Sequence, residues 1–592
     1  MIKTLSNANQ RSLLTASGKT LADGQTWSRW VLTISVGLTV LPALLDLWIG
    51  GARRAIGYFA ADAFYYLTVA RNLLDYGTTT FDQVTITNGY HPLWQFALAL
   101  MMWMWRAAAL SEPTQLVLTA AAGVCLNGAA VYLLGRAIWK ARGRLGTAFL
   151  LIAVGPYAIF LSGFYWGLSP EQLARQNPLE GTMPVYGTLW SFANGMESSL
   201  ALVLFSALAY VYVSYPVLTS PRAAAGCGAL CSLLVLARLD LALLLVPLLA
   251  VYGLRALLLR TRESVHCALA AWFAFAVPLA IYLLLNWLWV GAAIPTSGSA
   301  KSSFPHLGSS GARGLVRIPA VMQSGRRYLG LVYREAQIVV PSVVALLLTP
   351  WLLYDRLNGP ASERSWRRPG DPWDSFLIQV GFGVLILGTY NWLFVNITYQ
   401  GHWYFPVSCV FVSLALFRVV SLPRFIARWA LPARWAGATA IVAFCVFFFL
   451  TFHRKPAYHK KYADFCLQEA SRLKEAYRGK EPKLLSIDDG VIAYCTGFPS
   501  MNGMGLTLDP QAALARKEGK LGALAVARGY DRVASLVYVN SARLKPSTPQ
   551  KEVNDWAHKR YKRFLGANPA FDFEVEYRSP ESGFVVFVVR PK

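Results

Sequence analysis

The feature that most limits this chain is a series of long apolar runs, many close to 20 residues. A helix of ~20 residues spans the ~30 Å hydrocarbon core of a bilayer. Backbone polar groups in lipid have no water to bond, so such runs must close their hydrogen bonds internally, as helices. Candidate spans fall at 30–50, 118–137, 145–163, 195–215, 223–238, 240–257, 266–290, 336–354, 375–397, 404–420 and 436–452. One more apolar segment, Pro92 to Leu110, is interrupted by Arg106 and reads either as a span or as a helix lying along the interface.

The distribution of basic residues decides between the two. Cytoplasmic loops collect Lys and Arg. If 92–110 does not cross, Arg136, Lys140, Arg142, Arg144, Arg222, Arg255, Arg260, Arg262, Arg356, Arg364, Arg367, Arg368, Arg418, Arg424, Arg428 and Arg434 all fall inside. If it crosses, they all move outside. The expected architecture is therefore a polytopic α-helical membrane protein with about eleven spans. The segment at 92–110 becomes a juxtamembrane helix. Residues 1–29 form a cytoplasmic N-terminal segment without a cleavable signal peptide. Residues 30–452 form the transmembrane domain, with a first outer loop at 51–117. The other long outer connections are 164–194 and 291–335. Sites are usually carried on long loops, so function belongs on that face.

From 453 to 592 the apolar runs shorten and charge rises. The pattern predicts an extracytoplasmic α/β domain: an amphipathic helix over 459–478, a strand at 483–487, helix over 510–526, a strand at 532–539, helix over 549–564, and a β-hairpin at 572–590 around Ser579–Ser582. Cys466 and Cys495 lie in this part and have the opportunity to form a disulfide if it is extracytoplasmic. The net charge of +25 raises nucleic acid as a partner. The charge sits in short loops between apolar runs, and no zinc-finger or RNP pattern accompanies it, which argues against that class. The 55% hydrophobic and 15% charged composition agrees with a lipid bilayer as the surroundings.

The densest polar information is in the first outer loop. Asp62 opens a helix that Gly77 stops, and Asp62, Tyr65, Tyr66 and Val69 share one face of it. Thr87-Asn-Gly-Tyr-His-Pro-Leu-Trp94 follows, with a turn at Asn88–Gly89. Further polar punctuation stands at Asn194-Gly-Met-Glu-Ser198, Arg238-Leu-Asp240, Pro295 to Lys301, and Asp489 to Leu506. Ionisable residues near membrane depth are costly; Arg238 and Asp240 stand there or at the outer interface, on a break between two spans, and since residues two apart do not face each other on one helix, each would need a partner elsewhere.

Together these segments resemble the bacterial arabinofuranosyl- and mannosyltransferase-like branch of the GT-C glycosyltransferases. The resemblance implies a polyprenyl-phosphate-linked sugar donor and an envelope glycan, glycolipid or protein acceptor. It implies a bacterial inner membrane location, with the active site and C-terminal domain on the periplasmic side. It implies Asp62 as the general base, and donor phosphate or sugar contacts from Lys301, Arg238, His91, His402, Glu197, Asp240, Tyr65 and Tyr66. Many relatives carry two adjacent acidic residues in the first loop. Here the neighbour of Asp62 is Ala61, so the case for a divalent metal is weak and no cofactor is called for. Leu239 stands where relatives have proline, which leaves the role of Asp240 less secure. A lipid-linked sugar flippase or transporter is the main alternative, and a ligase-type oligosaccharide transferase the second. No inverted repeat is visible, and the polar candidates gather on one face, which favours an enzyme.

Overall fold

The computed structural model describes residues 29–30, 32–37, 39–41, 43–60, 62–142, 193–298, 341–354, 371–394, 406–420, 467–487, 490–503, 505–534, 547–565, 571–580 and 584–591. The segments 145–163 and 436–452, both expected to span, lie outside them. The other nine expected spans are helical. In chain order the elements of the first half are α1 (Leu32–Tyr58), α2 (Ala63–Tyr76), α3 (Pro92–Ala107), α4 (Glu112–Arg142), α5 (Ser198–Ser214), α6 (Pro221–Ala237), α7 (Leu241–Leu259) and α8 (Arg262–Val290). Then come α9 (Pro341–Tyr354), α10 (Pro372–Phe394) and α11 (Pro406–Val420).

By length and composition α1, α4, α7, α8 and part of α10 can cross a bilayer, and α5, α6 and α9 are shorter apolar helices. Their exteriors bear this out. On α8, Leu269, Phe273, Leu284 and Leu288 are all more than half exposed, and water would not tolerate such a surface. The chain is a membrane protein. Buried contacts among α4 to α11 form one apolar core around Phe205, Tyr212, Leu245, Trp373 and Phe411.

Local chemistry sets the helix ends. Ser220 accepts from the Ala223 N–H with Pro221 behind it, and Thr261 accepts from the Ser264 N–H. Gly77 and Gly291 close α2 and α8 in the left-handed conformation that glycine adopts without strain. The start of α5, the α6–α7 junction, the start of α7 and the end of α8 meet at one end of the bundle. The basic residues Lys140, Arg222, Arg255, Arg260 and Arg262 stand at the opposite helix ends.

α3 settles the ambiguous segment. Its first residues touch the α6–α7 junction, where the Leu239 N–H donates to His91 Nδ1. Its last turn is tied back to α2, where Arg106 bonds Asp75 at 2.6 Å. α2 in turn holds the C-terminal domain, through Arg71 bonded to the Tyr494 carbonyl at 2.8 Å. Both ends of α3 therefore lie on the same side of the bundle, and the helix runs along that end. α4 starts at Glu112, earlier than expected, and at ~46 Å it is longer than a bilayer core. Its first turns flank the juxtamembrane helices.

The C-terminal domain contains a helix over 467–476, called α12, then β1 (Leu484–Ser486), α13 (Gly490–Thr496), β2 (Ser500–Asn502), α14 (Pro510–Lys517), α15 (Leu521–Ala527), β3 (Arg532–Ala534), α16 (Gln550–Leu565), β4 (Phe571–Arg578) and β5 (Val585–Pro591). The sheet order is β2-β1-β3-β5-β4. β1 pairs in parallel with β2 and β3, and β5 pairs antiparallel with β3 and β4. The expected single helix over 510–526 is two, because Gly519 turns the chain at positive φ between them. β2 and α13 were not foreseen; at three and seven residues both are too short to show a clear period. The Cys466–Cys495 pairing lies outside the described residues.

The domain does not stand apart from the membrane helices. Phe64, Trp94 and Val124 share one buried cluster with Leu473, Val491 and Phe584. Two glycines allow the approach. A Cβ on Gly490 would fall 2.8 Å from the Tyr65 amide nitrogen, and one on Gly89 would run into the Leu506 carbonyl. Exchanging glycine for alanine usually stabilises a chain by stiffening its unfolded state. Gly89→Ala is expected to do the reverse, lowering stability by about 1–3 kcal/mol through overpacking. Thermal unfolding in detergent reads this out. An unchanged or raised midpoint would mean that the seam is not tightly packed there.

Candidate active site

The site begins at the junction of α6 and α7. Arg238 is 1% exposed. A guanidinium cannot shed its charge, so burial on this scale requires opposed carboxylates. Arg238 Nη1 bonds Glu197 Oε1 at 3.0 Å, and Nε bonds Asp240 Oδ1 at 2.9 Å. The break between the spans 223–238 and 240–257 falls where the apolar pattern put it, but Arg238 and Asp240 were expected to need separate partners. The structure corrects this. Arg238 caps the end of α6 in an extended conformation (φ −157°, ψ 105°), and Asp240 occupies the cap position of α7. The break lets two residues two apart face each other.

Glu197 in turn stands at the start of α5, also 1% exposed, without a capping bond from its side chain. Asn194 shapes the turn before it by accepting from the Met196 N–H at 3.0 Å, and its own carbonyl accepts from Ala60 at 2.9 Å. Gly195, at φ 77°, lies against Phe59 and Ala63 with no room for a Cβ. The Gly195 carbonyl accepts from the Trp94 indole at 2.9 Å. The junctions before α2, α3, α5 and α7 are thus fixed to one another around one carboxylate.

His91 caps the start of α3. Its Nδ1 accepts from the Leu239 N–H at 3.3 Å, which leaves Nε2 as the protonated nitrogen of the neutral ring. Nε2 faces Glu197 Oε1 at 3.6 Å. Tyr66 is fully buried beside them, and its hydroxyl accepts from the His91 N–H at 3.4 Å. Burial first, and then the Glu197 charge, push the Tyr66 phenol well above its ordinary value. It stays protonated, with its proton oriented toward Glu197.

These groups face a cavity of about 440 Å³, counting its open mouth. It is lined by Asp62, Tyr65, Tyr66 and Val69 of the first loop helix, by Gly89, Tyr90, His91 and Gln95, by Met196 and Glu197, by Ser297, and by Leu506 and Thr507 of the C-terminal domain. The four residues expected to share one face of α2 all line it. Asp62 occupies the cap position of α2, yet its side chain makes no capping hydrogen bond. Helix capping by the side chain therefore does not account for the residue, which lines the cavity. Arg238 and Asp240 are not among the lining residues. They hold Glu197 in place from behind. Lys301 and His402 lie outside the described residues. Among the described residues, no group of three or more metal-ligating side chains comes together.

The roof is held to the floor by hydrogen bonds to one carbonyl. Thr87 Oγ1 and Thr296 Oγ1 both donate to Leu508, at 3.1 and 2.8 Å. Asn88 bonds the Ala292 carbonyl through its amide and accepts from the Thr296 N–H. Three remote stretches, 87–91, 292–297 and 506–508, thereby form one wall. Sequence reading overlooked Gln95 and Thr507. Gln95 follows His91 by four positions, on the same helix face, in an otherwise apolar helix, and that was the available signal. Thr507 lies one residue past the Gly505–Leu506 stretch that drew attention.

Removing Arg238 leaves the Glu197 charge buried and unpaired. Arg238→Met is expected to cost about 3–5 kcal/mol of stability. Adding Glu197→Gln in that background should recover part of the loss, since the charge left stranded is then gone. Thermal unfolding of the two variants checks this. A neutral Arg238→Met, or a double variant worse than the single, would contradict the arrangement.

No protein-family model matches the sequence, and no curated protein matches it. Among solved structures, the chain is similar to the archaeal oligosaccharyltransferase AglB from Archaeoglobus fulgidus, determined in complex with an inhibitory peptide and a dolichol-phosphate. The identity is 14% and the TM-score 0.42, with 96% of this chain and 74% of that chain covered.

Proposed function

We propose that this protein is a GT-C-type glycosyltransferase that moves a single sugar, arabinofuranose or mannose, from a polyprenyl-phosphate donor to an envelope glycan, glycolipid or protein. The reaction takes place on the outer side of a bacterial inner membrane. One observation carries the proposal: Asp62, His91 and Glu197 are far apart in sequence, yet they line one open cavity at the bundle end opposite the basic helix ends. Basic ends mark the cytoplasmic side. The cavity then faces a compartment without nucleotide sugars, and a lipid can deliver the donor sideways from the membrane.

The chemistry follows from the groups at hand. The acceptor oxygen attacks the anomeric carbon while the bond from that carbon to the phosphate oxygen breaks. Polyprenyl phosphate leaves with the electron pair. The acceptor proton passes to the Asp62 carboxylate, which acts as the general base. Lys301 is four residues beyond Ser297, a lining residue, and so within at most about 14 Å of chain. It is the candidate to neutralise the departing phosphate. Arg238 and Asp240 position Glu197, and Glu197 with Tyr65, Tyr66 and His91 grips the sugar.

Asp62→Asn keeps the side-chain size and removes the base. With synthetic polyprenyl-phosphate arabinofuranose or mannose and membrane-extract acceptors, the variant is expected to lose about 10²- to 10⁴-fold in turnover while donor binding survives. Equal turnover by both proteins would move the base to another residue. Donor movement across proteoliposomes without any transfer would favour a flippase instead.

A further inference from the structure

The cavity wall holds three buried polar atoms that have no well-formed hydrogen bond. Glu197 uses Oε1 for Arg238 and leaves Oε2 without one. Gln95 is 0% exposed. Its amide nitrogen donates to the Tyr66 carbonyl at 3.2 Å, which fixes the amide orientation and leaves Oε1 without a donor. Thr507, from the C-terminal domain, leaves Oγ1 without a partner. All three residues are more than nine-tenths buried, and all three line the same cavity. Buried polar atoms are nearly always paired, and each one left unpaired destabilises the protein. Three residues from three remote parts of the chain, each carrying such an atom, line one space, and a ligand there is positioned to complete the bonding.

The chemistry of the three atoms selects the ligand. A carboxylate oxygen and an amide oxygen can only accept, and a threonine hydroxyl can do either. No lysine or arginine is among the described lining residues, so a phosphate would meet acceptors and no cation here. The aromatic rings of Tyr65, Tyr66 and Tyr90 supply apolar walls for the carbon face of a ring. We propose that Glu197 Oε2, Gln95 Oε1 and Thr507 Oγ1 form a hydroxyl-reading subsite for the sugar ring of the donor. Two of its groups come from the membrane half and one from the C-terminal domain. This rests on the glycosyltransferase reading above and adds Gln95 and Thr507 as specificity-determining residues. A second consequence concerns the roof. Thr507 is next to Leu508, whose carbonyl takes both Thr87 and Thr296, so the C-terminal domain takes part in donor recognition as well as covering the site.

The test compares polyprenyl-phosphate arabinofuranose and polyprenyl-phosphate mannose with their monodeoxy analogues. The readout is the ratio of kcat/KM for the natural donor to that for each analogue. This ratio does not depend on how much of a variant is folded. The parent protein should prefer the hydroxylated donor by roughly 10- to 100-fold for at least one hydroxyl position. Thr507→Val is nearly isosteric and removes an unpaired buried hydroxyl. It should leave the thermal midpoint unchanged or higher and abolish the preference at one hydroxyl. Gln95→Leu should abolish it at another. Parent turnover with ratios that neither variant changes would overturn the subsite and leave the glycosyltransferase reading intact. A Mg²⁺ or Mn²⁺ requirement of turnover that weakens in Glu197→Gln would make Glu197 a metal ligand and overturn the subsite as well. Failure of the parent to use any lipid-linked sugar would overturn the glycosyltransferase reading, and the subsite with it.

Discussion

A guanidinium buried at the junction of two membrane helices sets the terms for everything around it. Arg238 is satisfied only because Glu197 reaches it from the start of α5 and Asp240 from the start of α7. An ion pair taken out of water gains little net stability over apolar packing of the same volume, but breaking it is costly. Its value is in geometry: three helix ends cannot drift apart without stranding a charge. Glu197 is thereby held in the cavity wall with Oε1 bound to Arg238. His91 and Tyr66 are placed by the same arrangement, one against the Leu239 amide and the other against the His91 amide. Under the proposed function such a rigid frame matters, because misplacement of reacting groups by even ~1 Å costs heavily in rate.

The second constraint is the contact between the membrane half and the C-terminal domain. Here the interface is backbone against backbone, at Gly89 with Leu506 and at Gly490 with Tyr65, and it shares a buried apolar cluster with α2, α3 and α4. Interfaces between domains of one chain are commonly polar and movable. This one continues the apolar core of the membrane half.

Much of this was legible in the sequence, for identifiable reasons. Apolar runs have a single solution in lipid, so the spans could be read directly, and nine of them are helical among the described residues. The asymmetry of basic residues correctly kept 92–110 out of the set of spans. The shared face of Asp62, Tyr65, Tyr66 and Val69 followed from helical spacing alone, and all four residues line the cavity. What could not be read depended on tertiary contacts. The break at Arg238–Asp240 showed as a gap between two apolar runs, but the pairing of the two side chains across it depends on the extended conformation of Arg238, which the sequence does not specify. β2 and α13 are too short to show a period. Gln95 showed only as an amide four positions after His91 in a largely apolar helix, and Thr507 carried no signal, since an unpaired atom is visible only once all its neighbours are placed.

The claim at the centre of this account is that the sugar of a polyprenyl-phosphate donor sits between the first outer loop, Glu197 and the C-terminal domain. The most direct measurement is photo-crosslinking of the purified protein with a polyprenyl phosphate whose sugar carries a diazirine, followed by peptide mapping. The account predicts adducts confined to 62–69, 89–95, 196–197 and 506–507, and competed away by unmodified donor. Adducts on other segments, or labelling that unmodified donor does not displace, would contradict it.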